Sequence, residues 1–201
     1  MDKPIILLDF DETLYRKDSL IQFHLFCLRR YPILIMWLPV QFACWLLHHT
    51  RFISTQQFKN CYLLFLAFRS VESIHQDATA FWQKEYPKHF NPRILDLLSH
   101  SDTQCVVITA SPTIYFKPLL PLLPIITFLG TELKTNHGLY VIDGKNCKGP
   151  EKVVAFRKHF PQQVTIAQAY SDSLSDIPLL EMAQQGFLVK GDTVTPYQPS
   201  S

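Results

Sequence analysis

Two aspartates stand two residues apart in Leu7-Leu8-Asp9-Phe10-Asp11-Glu12-Thr13-Leu14. They directly follow a short aliphatic run that reads as a buried strand. In extended backbone, positions i and i+2 face the same side. Asp9 and Asp11 would therefore present their carboxylates together at the end of that strand. Carboxylates held this close repel each other and favour a hard cation such as Mg²⁺; the plain alternative is a surface turn with two solvated side chains. A second acidic pair lies in Ser171-Asp172-Ser173-Leu174-Ser175-Asp176. Asp172 and Asp176 are one turn apart if a helix begins near Ser175, although serines and an aspartate there could equally serve as helix caps. In Thr109-Ala110-Ser111-Pro112, Thr109 ends a strand, Ser111 suits an N-cap and Pro112 the first helical position. A helix start of that kind offers free N–H groups to a phosphate. Finally, Cys147-Lys148-Gly149-Pro150-Glu151-Lys152 places two lysines near a helix start, where lysines are ordinarily just solvated.

Positioning these groups requires a scaffold. Continuous aliphatic runs at residues 5–10, 105–109, 124–128, 164–169 and 186–189 predict buried strands. Helical stretches at 114–123 (irregular, because of its prolines), 151–159 and 177–185 lie between them. Strands alternating with helices argue for an open α/β sheet, and such sheets bind ligands beyond the carboxyl ends of their strands. Residues 133–141, with Asn136-His137-Gly138 at the centre, predict a β-hairpin. Residues 15–94 hold no buried-strand pattern and read as helical, which makes them an insertion after the first strand. The polar, proline-containing tail 191–201 is expected to be loosely held.

Taken in order, the four segments resemble the haloacid dehalogenase (HAD) superfamily of phosphatases, in its phosphoserine-phosphatase-like branch (subfamily IB). The resemblance runs the length of the chain. It implies an open parallel Rossmann-like sheet with a helical cap of the C1 type inserted after the first strand: a catalytic core at 1–14 and 95–201, and a cap at 15–94. It implies Asp9 as nucleophile and Asp11 as general acid and base. Thr109 and Ala110 would bind the phosphoryl group, and a lysine would balance its charge. Lys152, which follows Gly-x-Glu, is preferred for that role over Lys148, which would then assist in binding substrate. Mg²⁺ would sit at Asp9, Asp11 (through its carbonyl) and Asp172, with Asp176 beside them orienting the lysine or a water. Two departures stand out. Glu12 occupies a place where many relatives have glycine, which puts the local dihedral in question. Thr109-Ala110-Ser111-Pro112 replaces the Ser-Gly-Gly of phosphoserine phosphatases, which argues against phosphoserine as substrate. The dehalogenases of the superfamily lack the second aspartate of the pair, present here as Asp11.

The chain has 201 residues and a formal net charge of +2. It has no basic tract, which argues against a nucleic-acid partner. Its five cysteines, Cys27, Cys44, Cys61, Cys105 and Cys147, include no CxxC pair and predict neither disulfides nor zinc. The tandem His48-His49 points two ways from a helix and makes a poor metal site. The short apolar run at 4–8 ends in acid and does not read as a signal peptide. Residues 31–47 are apolar except for Gln41, follow Arg29-Arg30, and carry Pro39, Trp37 and Trp45. Such a run suits either a buried cap seam or contact with a membrane surface. This arrangement, with Gly149 to Val153 and Tyr170 to Leu180, resembles the bacterial phosphatidylglycerophosphatase C enzymes. The expectation is therefore a Mg²⁺-dependent phosphomonoesterase in the cytoplasm or at the inner face of the membrane, acting on a phosphate ester such as a lipid phosphate. The rival is a soluble phosphatase of small metabolites. A degraded, non-enzymatic membrane protein is disfavoured, because no motif aspartate is missing.

Overall fold

The computed structural model describes residues 4–100, 104–162 and 164–198. The expected α/β architecture is present. A six-stranded sheet has the order β3-β2-β1-β6-β7-β8, built from β1 (Ile5–Leu8), β2 (Gln104–Pro112), β3 (Thr127–Thr131), β6 (Ile166–Ser171), β7 (Gln185–Lys190) and β8 (Thr193–Pro196). The first five of these run parallel, and β8 returns antiparallel beside β7. The run Ile5-Ile6-Leu7-Leu8 is continuous because both its faces are covered. Ile6 and Leu8 pack into one apolar cluster; Ile5 and Leu7 pack into a second on the opposite face. β1 lies between β2 and β6, so the loops after these three strands meet at one edge of the sheet. The remaining strands, β4 (Leu133–Asn136) and β5 (Leu139–Ile142), form the expected hairpin.

The insertion after β1 is helical, and residues 15–94 contain no named strand. It comprises α1 (Ser19–Arg30), a 3₁₀ segment Pro32–Trp37, α2 (Leu38–His49), α3 (Thr55–Tyr62), a 3₁₀ segment Leu63–Leu66 and α4 (Val71–Glu85). Then α5 (Pro92–His100) leads into β2, and α6 (Pro150–His159) and α7 (Ile177–Leu180) cover the far face. Asp18 caps α1 by accepting the Ile21 N–H, and Ser54 and Gln57 form a capping box on α3. α4 is bound into the core. Trp82 packs on Phe10 and Phe116, and its indole N–H donates to the Tyr115 carbonyl at 2.7 Å. One apolar cluster therefore runs from the sheet into the insertion.

Several expectations are corrected. The stretch 114–123 forms two 3₁₀ pieces, Thr113–Tyr115 and Lys117–Leu122, because Pro118 and Pro121 remove amide donors. The third strand begins at Thr127 rather than at Pro124, in register with Val106. The helix expected over 177–185 stops at Leu180, since β7 already begins at Gln185. The tail is not loose over its described part. Gly191 (φ 59°) and Asp192 turn the chain, and the β-prone Thr193-Val194-Thr195 pairs with β7; residues 199–201 lie outside the described residues.

One buried group gives the cap an acid sensitivity. His24 of α1 stacks on Phe65 at 4.4 Å, and its Nε2 has no hydrogen-bond partner among the described residues. Burial lowers its pKa from the ordinary 6.5 to about 4. The unfolded chain therefore takes up the proton first as pH falls. The stability held by a neutral His24 is complete above about pH 6.5 and is lost as pH falls toward about 4, by at most ~3 kcal/mol. Urea midpoints measured at a series of pH values should fall more steeply with acid in the wild type than in His24→Phe. Parallel curves would show that His24 is not held neutral.

Candidate active site

The site is built on a side-chain alternation at the end of β1. Phe10 is fully buried, T-shaped against Phe116 at 4.7 Å and stacked on Tyr15 at 5.7 Å. With Phe10 anchored in the core, Asp9 and Asp11 turn to the opposite side, and both line one cavity. The turn is closed by Glu12, whose φ of 57° lies in the left-handed region. The dihedral that glycine adopts easily is thus kept by a glutamate, at a cost in strain.

Asp9 is buried, and its Oδ1 lies 2.7 Å from Lys152 Nζ. The same ammonium reaches Asp176 Oδ2 at 2.5 Å. Asp176 also accepts the Gly149 N–H at 3.2 Å and the Ser171 hydroxyl at 2.8 Å, and that hydroxyl also lies 3.3 Å from Asp9 Oδ2. Gly149 makes the arrangement possible. Its φ is 58°, and a Cβ there would stand 3.0 Å from the Ser175 carbonyl oxygen. It places its own N–H on Asp176 and starts α6, whose first turn carries Lys152. Asp172 follows β6, and its N–H donates to the Thr13 hydroxyl at 2.9 Å. Asp11 accepts the Ser19 N–H at 2.7 Å on one oxygen and the Ser111 hydroxyl at 2.6 Å on the other. Behind them, Ser19 Oγ contacts Ser111 Oγ and Tyr115 OH.

The electrostatics follow from burial. Desolvation raises Asp9 from 3.8 to about 8, against the lowering influence of Lys152. Asp11 is raised by burial and by Asp18, with Ser111 and Ser19 acting in the opposite sense. Burial alone would lower Lys152, but Asp9 and Asp176 hold it above its ordinary value, so it stays charged. Asp172 is raised by burial and interacts directly with Asp9. Two carboxylates in contact, one pushed to about 8, form a donor set that a hard dication would relieve. The Asp9 and Asp172 carboxylates therefore fit a hard dication such as Mg²⁺. Among the described residues no three His, Cys, Asp or Glu side chains converge as a metal cluster. Asp176 is already bonded to Lys152, Ser171 and Gly149.

The cavity has a volume of about 510 Å³. The insertion closes it with Leu20, Ile21, Thr55, Phe58, Lys59 and Tyr62. Lys152 is in direct contact with Asp9, whereas Lys148 is exposed and lines the cavity farther out. One expectation fails. Ser111 is no helix cap, because β2 continues through Pro112 and pairs with Thr131. The loop is held by its own side chains instead: Ser111 N donates to Thr109 Oγ1 at 3.0 Å, and Ala110 and Ser111 line the cavity while Thr109 is buried behind them. Sequence reasoning passed over Ser19, Ser111, Lys59 and Tyr115 as members of the site. Only Ser111 lay inside a recognised segment. The others are brought in by the cap and by the segment after β2, and no local spacing marks them.

The profile of the haloacid dehalogenase-like hydrolases matches residues 6–181. The chain belongs to that family. Protein CicA of Caulobacter vibrioides is 29% identical to this HAD-like hydrolase over 127 residues, which are 60% of this chain and 57% of CicA, so the match spans little more than half of that relative. A Bordetella pertussis Tohama I protein of unknown function superposes with a TM-score of 0.76 at 20% identity, covering 92% of this chain and 89% of that one. A phosphoserine phosphatase, solved as an analogue of its phospho-aspartyl intermediate, superposes at 0.55 and 14% identity, covering 92% and 86%. The fold is thus that of the phosphoserine-phosphatase-like branch of the HAD-like hydrolases.

The strained turn yields a test. Glu12→Gly removes the left-handed penalty and one acid from a crowded group of carboxylates, while adding backbone freedom to the unfolded chain. The net effect should be a gain of about 0.5–1 kcal/mol in urea unfolding. A loss of stability would mean that the Glu12 side chain makes a compensating contact.

Proposed function

We propose that this hydrolase is a Mg²⁺-dependent phosphomonoesterase that works through a phospho-aspartate on Asp9. The observation carrying this reading is the buried Lys152 ammonium between Asp9 and Asp176, with Asp11 across the same cavity. Lys152 favours the ionised form of Asp9, which attacks phosphorus as the bond to the ester oxygen breaks. Asp11, raised by burial, gives its proton to the departing oxygen. The Asp11 carboxylate then takes a proton from a water, whose oxygen attacks phosphorus. The Asp9–phosphorus bond breaks, and inorganic phosphate leaves. Mg²⁺, when bound, would supply positive charge that offsets carboxylate repulsion and charge on the phosphoryl oxygens. Ser19 and Ser111 hold Asp11 toward the cavity, and Ser171 and Gly149 hold Asp176 on Lys152. The intermediate analogue of the structurally similar phosphoserine phosphatase supports the covalent step.

The substrate we infer is a phosphate ester presented at a membrane surface, on the cytoplasmic side. The support is an inside-out helix. The residues α2 turns inward are Gln41, Cys44 and His48; Gln41 Nε2 donates to the Tyr62 carbonyl at 2.9 Å, and His48 stacks on Phe58 at 5.1 Å. Its apolar residues face outward, as do Ile33, Ile35 and Met36 of the preceding 3₁₀ segment, whose Leu34 and Trp37 pack inward on the core: Ile33 is 69% exposed, Met36 70% and Phe42 64%. A helix whose polar side packs on protein and whose apolar side is bare suits the headgroup boundary of a bilayer. Pro32–His49 is also apolar enough over 18 residues to pass for a span, but its inward contacts tie it along the cap. Tyr62 and Phe58 line the cavity on their other side, so the apolar face lies one helix layer from the site. Arg30 is engaged with Asp77 at 3.1 Å, which leaves Arg29 as the freer cation of the pair.

Three measurements test these readings. Asp9→Asn should abolish phosphatase turnover in a folded protein, and Asp11→Asn should lower it by about 10²–10⁴-fold. EDTA should stop the wild type and Mg²⁺ restore it; full activity in chelator would contradict the metal assignment. For the surface, a triple serine variant of Ile33, Met36 and Phe42 should lose vesicle binding and hydrolysis of a lipid phosphate while keeping hydrolysis of a small soluble ester. Unchanged vesicle binding would favour the soluble rival.

A further inference from the structure

Behind Asp11 lies a buried chain of hydroxyls whose hydrogens can be counted. Ser111 Oγ lies 2.6 Å from Asp11 Oδ2, Ser19 Oγ lies 3.3 Å from Ser111 Oγ, and Tyr115 OH lies 3.0 Å from Ser19 Oγ. Ser19, Ser111 and Tyr115 are all buried. A hydroxyl has one hydrogen to give, and an ionised carboxylate has none. Ser111 therefore donates to Asp11. The Ser111 oxygen is left as an acceptor only, so Ser19 donates to it. By the same count Tyr115 donates to Ser19. Burial keeps the phenol protonated, well above its usual pKa of 10. All the hydrogens of the chain thus run one way, toward Asp11.

The reverse direction is closed. Were Asp11 to turn a proton toward Ser111, each hydroxyl would flip and the last hydrogen would fall to Tyr115. That hydroxyl has only Ser19 and Ser111 as side-chain partners among the described residues. The ring is enclosed by Phe116 at 4.7 Å, Phe23 at 4.9 Å and Trp82 at 6.4 Å. A buried donor left without an acceptor costs more than an ordinary hydrogen bond gains. The other oxygen of Asp11 is closed too, because it accepts the Ser19 backbone N–H at 2.7 Å, a donor that cannot reverse. Each carboxylate oxygen keeps a further lone pair, and the open side of Asp11 is the cavity it lines.

We infer that Tyr115, Ser19 and Ser111 are positioning residues for Asp11, a wall of donors that confines its proton exchange to the cavity, toward the departing oxygen and then the attacking water. This rests on the phosphatase reading and deepens it. The chain joins three elements: Ser111 belongs to β2, Ser19 opens α1, and Tyr115 ends the 3₁₀ piece Thr113–Tyr115. The Trp82 indole N–H on the Tyr115 carbonyl fixes its far end. The consequence concerns the alcohol portion of the substrate. A proton given to the ester oxygen matters most when the alcohol leaves poorly without one, so the wall suits esters of aliphatic alcohols.

The test removes single hydroxyls. Tyr115→Phe keeps the ring and its contacts. Ser19→Ala places a good helix former at the first position of α1 and keeps the N–H on Asp11. With Mg²⁺ present, kcat/KM is compared for propyl phosphate and for p-nitrophenyl phosphate, whose phenolate departs without a proton. The alkyl-to-aryl ratio should fall about threefold in each variant, the scale of one neutral hydrogen bond. It should fall roughly tenfold or more in Ser111→Ala, which takes a bond from Asp11 itself. Damage to folding or to phosphoryl binding lowers both esters alike and leaves the ratio where it was. An unchanged ratio in either Tyr115→Phe or Ser19→Ala overturns the inference. A second arm needs no turnover. In ligand-free protein carrying ¹³Cγ-labelled aspartate, the Asp11 resonance is assigned by its absence from Asp11→Asn. At constant pH it should move in Tyr115→Phe, although that substitution lies two hydroxyls away. A resonance that stays in place overturns the chain. If the wild type hydrolyses neither ester, the phosphatase reading falls and this arm alone judges the chain.

Discussion

The site depends on one buried ammonium. Lys152 is 2% exposed and bridges Asp9 and Asp176. Removing one partner from such a group leaves a naked charge, at a typical cost of 3–5 kcal/mol, so the surrounding chain must deliver all three together. It does so from three separate places: the end of β1, the first turn of α6 and the segment after β6. Gly149 starts α6 in a conformation closed to other residues, and Ser171 satisfies what remains of Asp176. The sheet order, with β1 beside β6, brings these places to one edge. The same constraint tunes the chemistry, because the burial that makes Lys152 indispensable also raises Asp9 and Asp11.

The second constraint is the alternation at Asp9-Phe10-Asp11. Phe10 meets Tyr15, Trp82, Phe90, Phe116 and Phe128, residues of both the core and the insertion. Aromatic contacts of this kind contribute on the order of 1 kcal/mol each beyond their buried area. Together they hold the backbone so that the flanking carboxylates have only the cavity side left. The cap is thus coupled to the turn that carries Asp9 and Asp11 by packing, as well as by the hydrogen bonds that α3 makes to the core.

What was legible in the sequence follows from this. Asp9, Asp11, Asp172, Lys148 and Lys152 were visible because each sits at a fixed offset from a buried strand or helix start, and strand ends are local features. Of the strands flanking β1, β2 was visible as a continuous aliphatic run, Cys105 to Ile108, and β6 as a shorter apolar stretch interrupted by Gln168. The helix cap assigned to Ser111 was wrong because Ser-Pro is also compatible with an extended strand, and only the register with Thr131 decides between them. The proline-rich 3₁₀ pieces and the strand at 193–196 were hidden for the same reason: neighbours distant in sequence fix them. Ser19, Tyr115 and Lys59 reach the site through the way the insertion folds back, which no spacing encodes.

The apolar run shows the limit most clearly. Composition could not separate a buried seam from a bare face, since both need the same residues. The structure separates them through the few polar positions. Had α2 been a seam, Gln41 and His48 would have faced water and Phe42, Trp45 and Leu46 the protein. The reverse holds: Gln41 is buried, and Phe42, Trp45 and Leu46 are exposed. The polar groups are satisfied by α3 and by the turn after α2, through the Tyr62 and Ile53 carbonyls. Bare apolar residues gathered on one face have the character of an interaction surface, which is why the reading proposed above puts an apolar medium outside α2. On the membrane-surface reading proposed above, a bilayer against the outer face of α2 would hold the ester one helix layer from the cavity, beside α3.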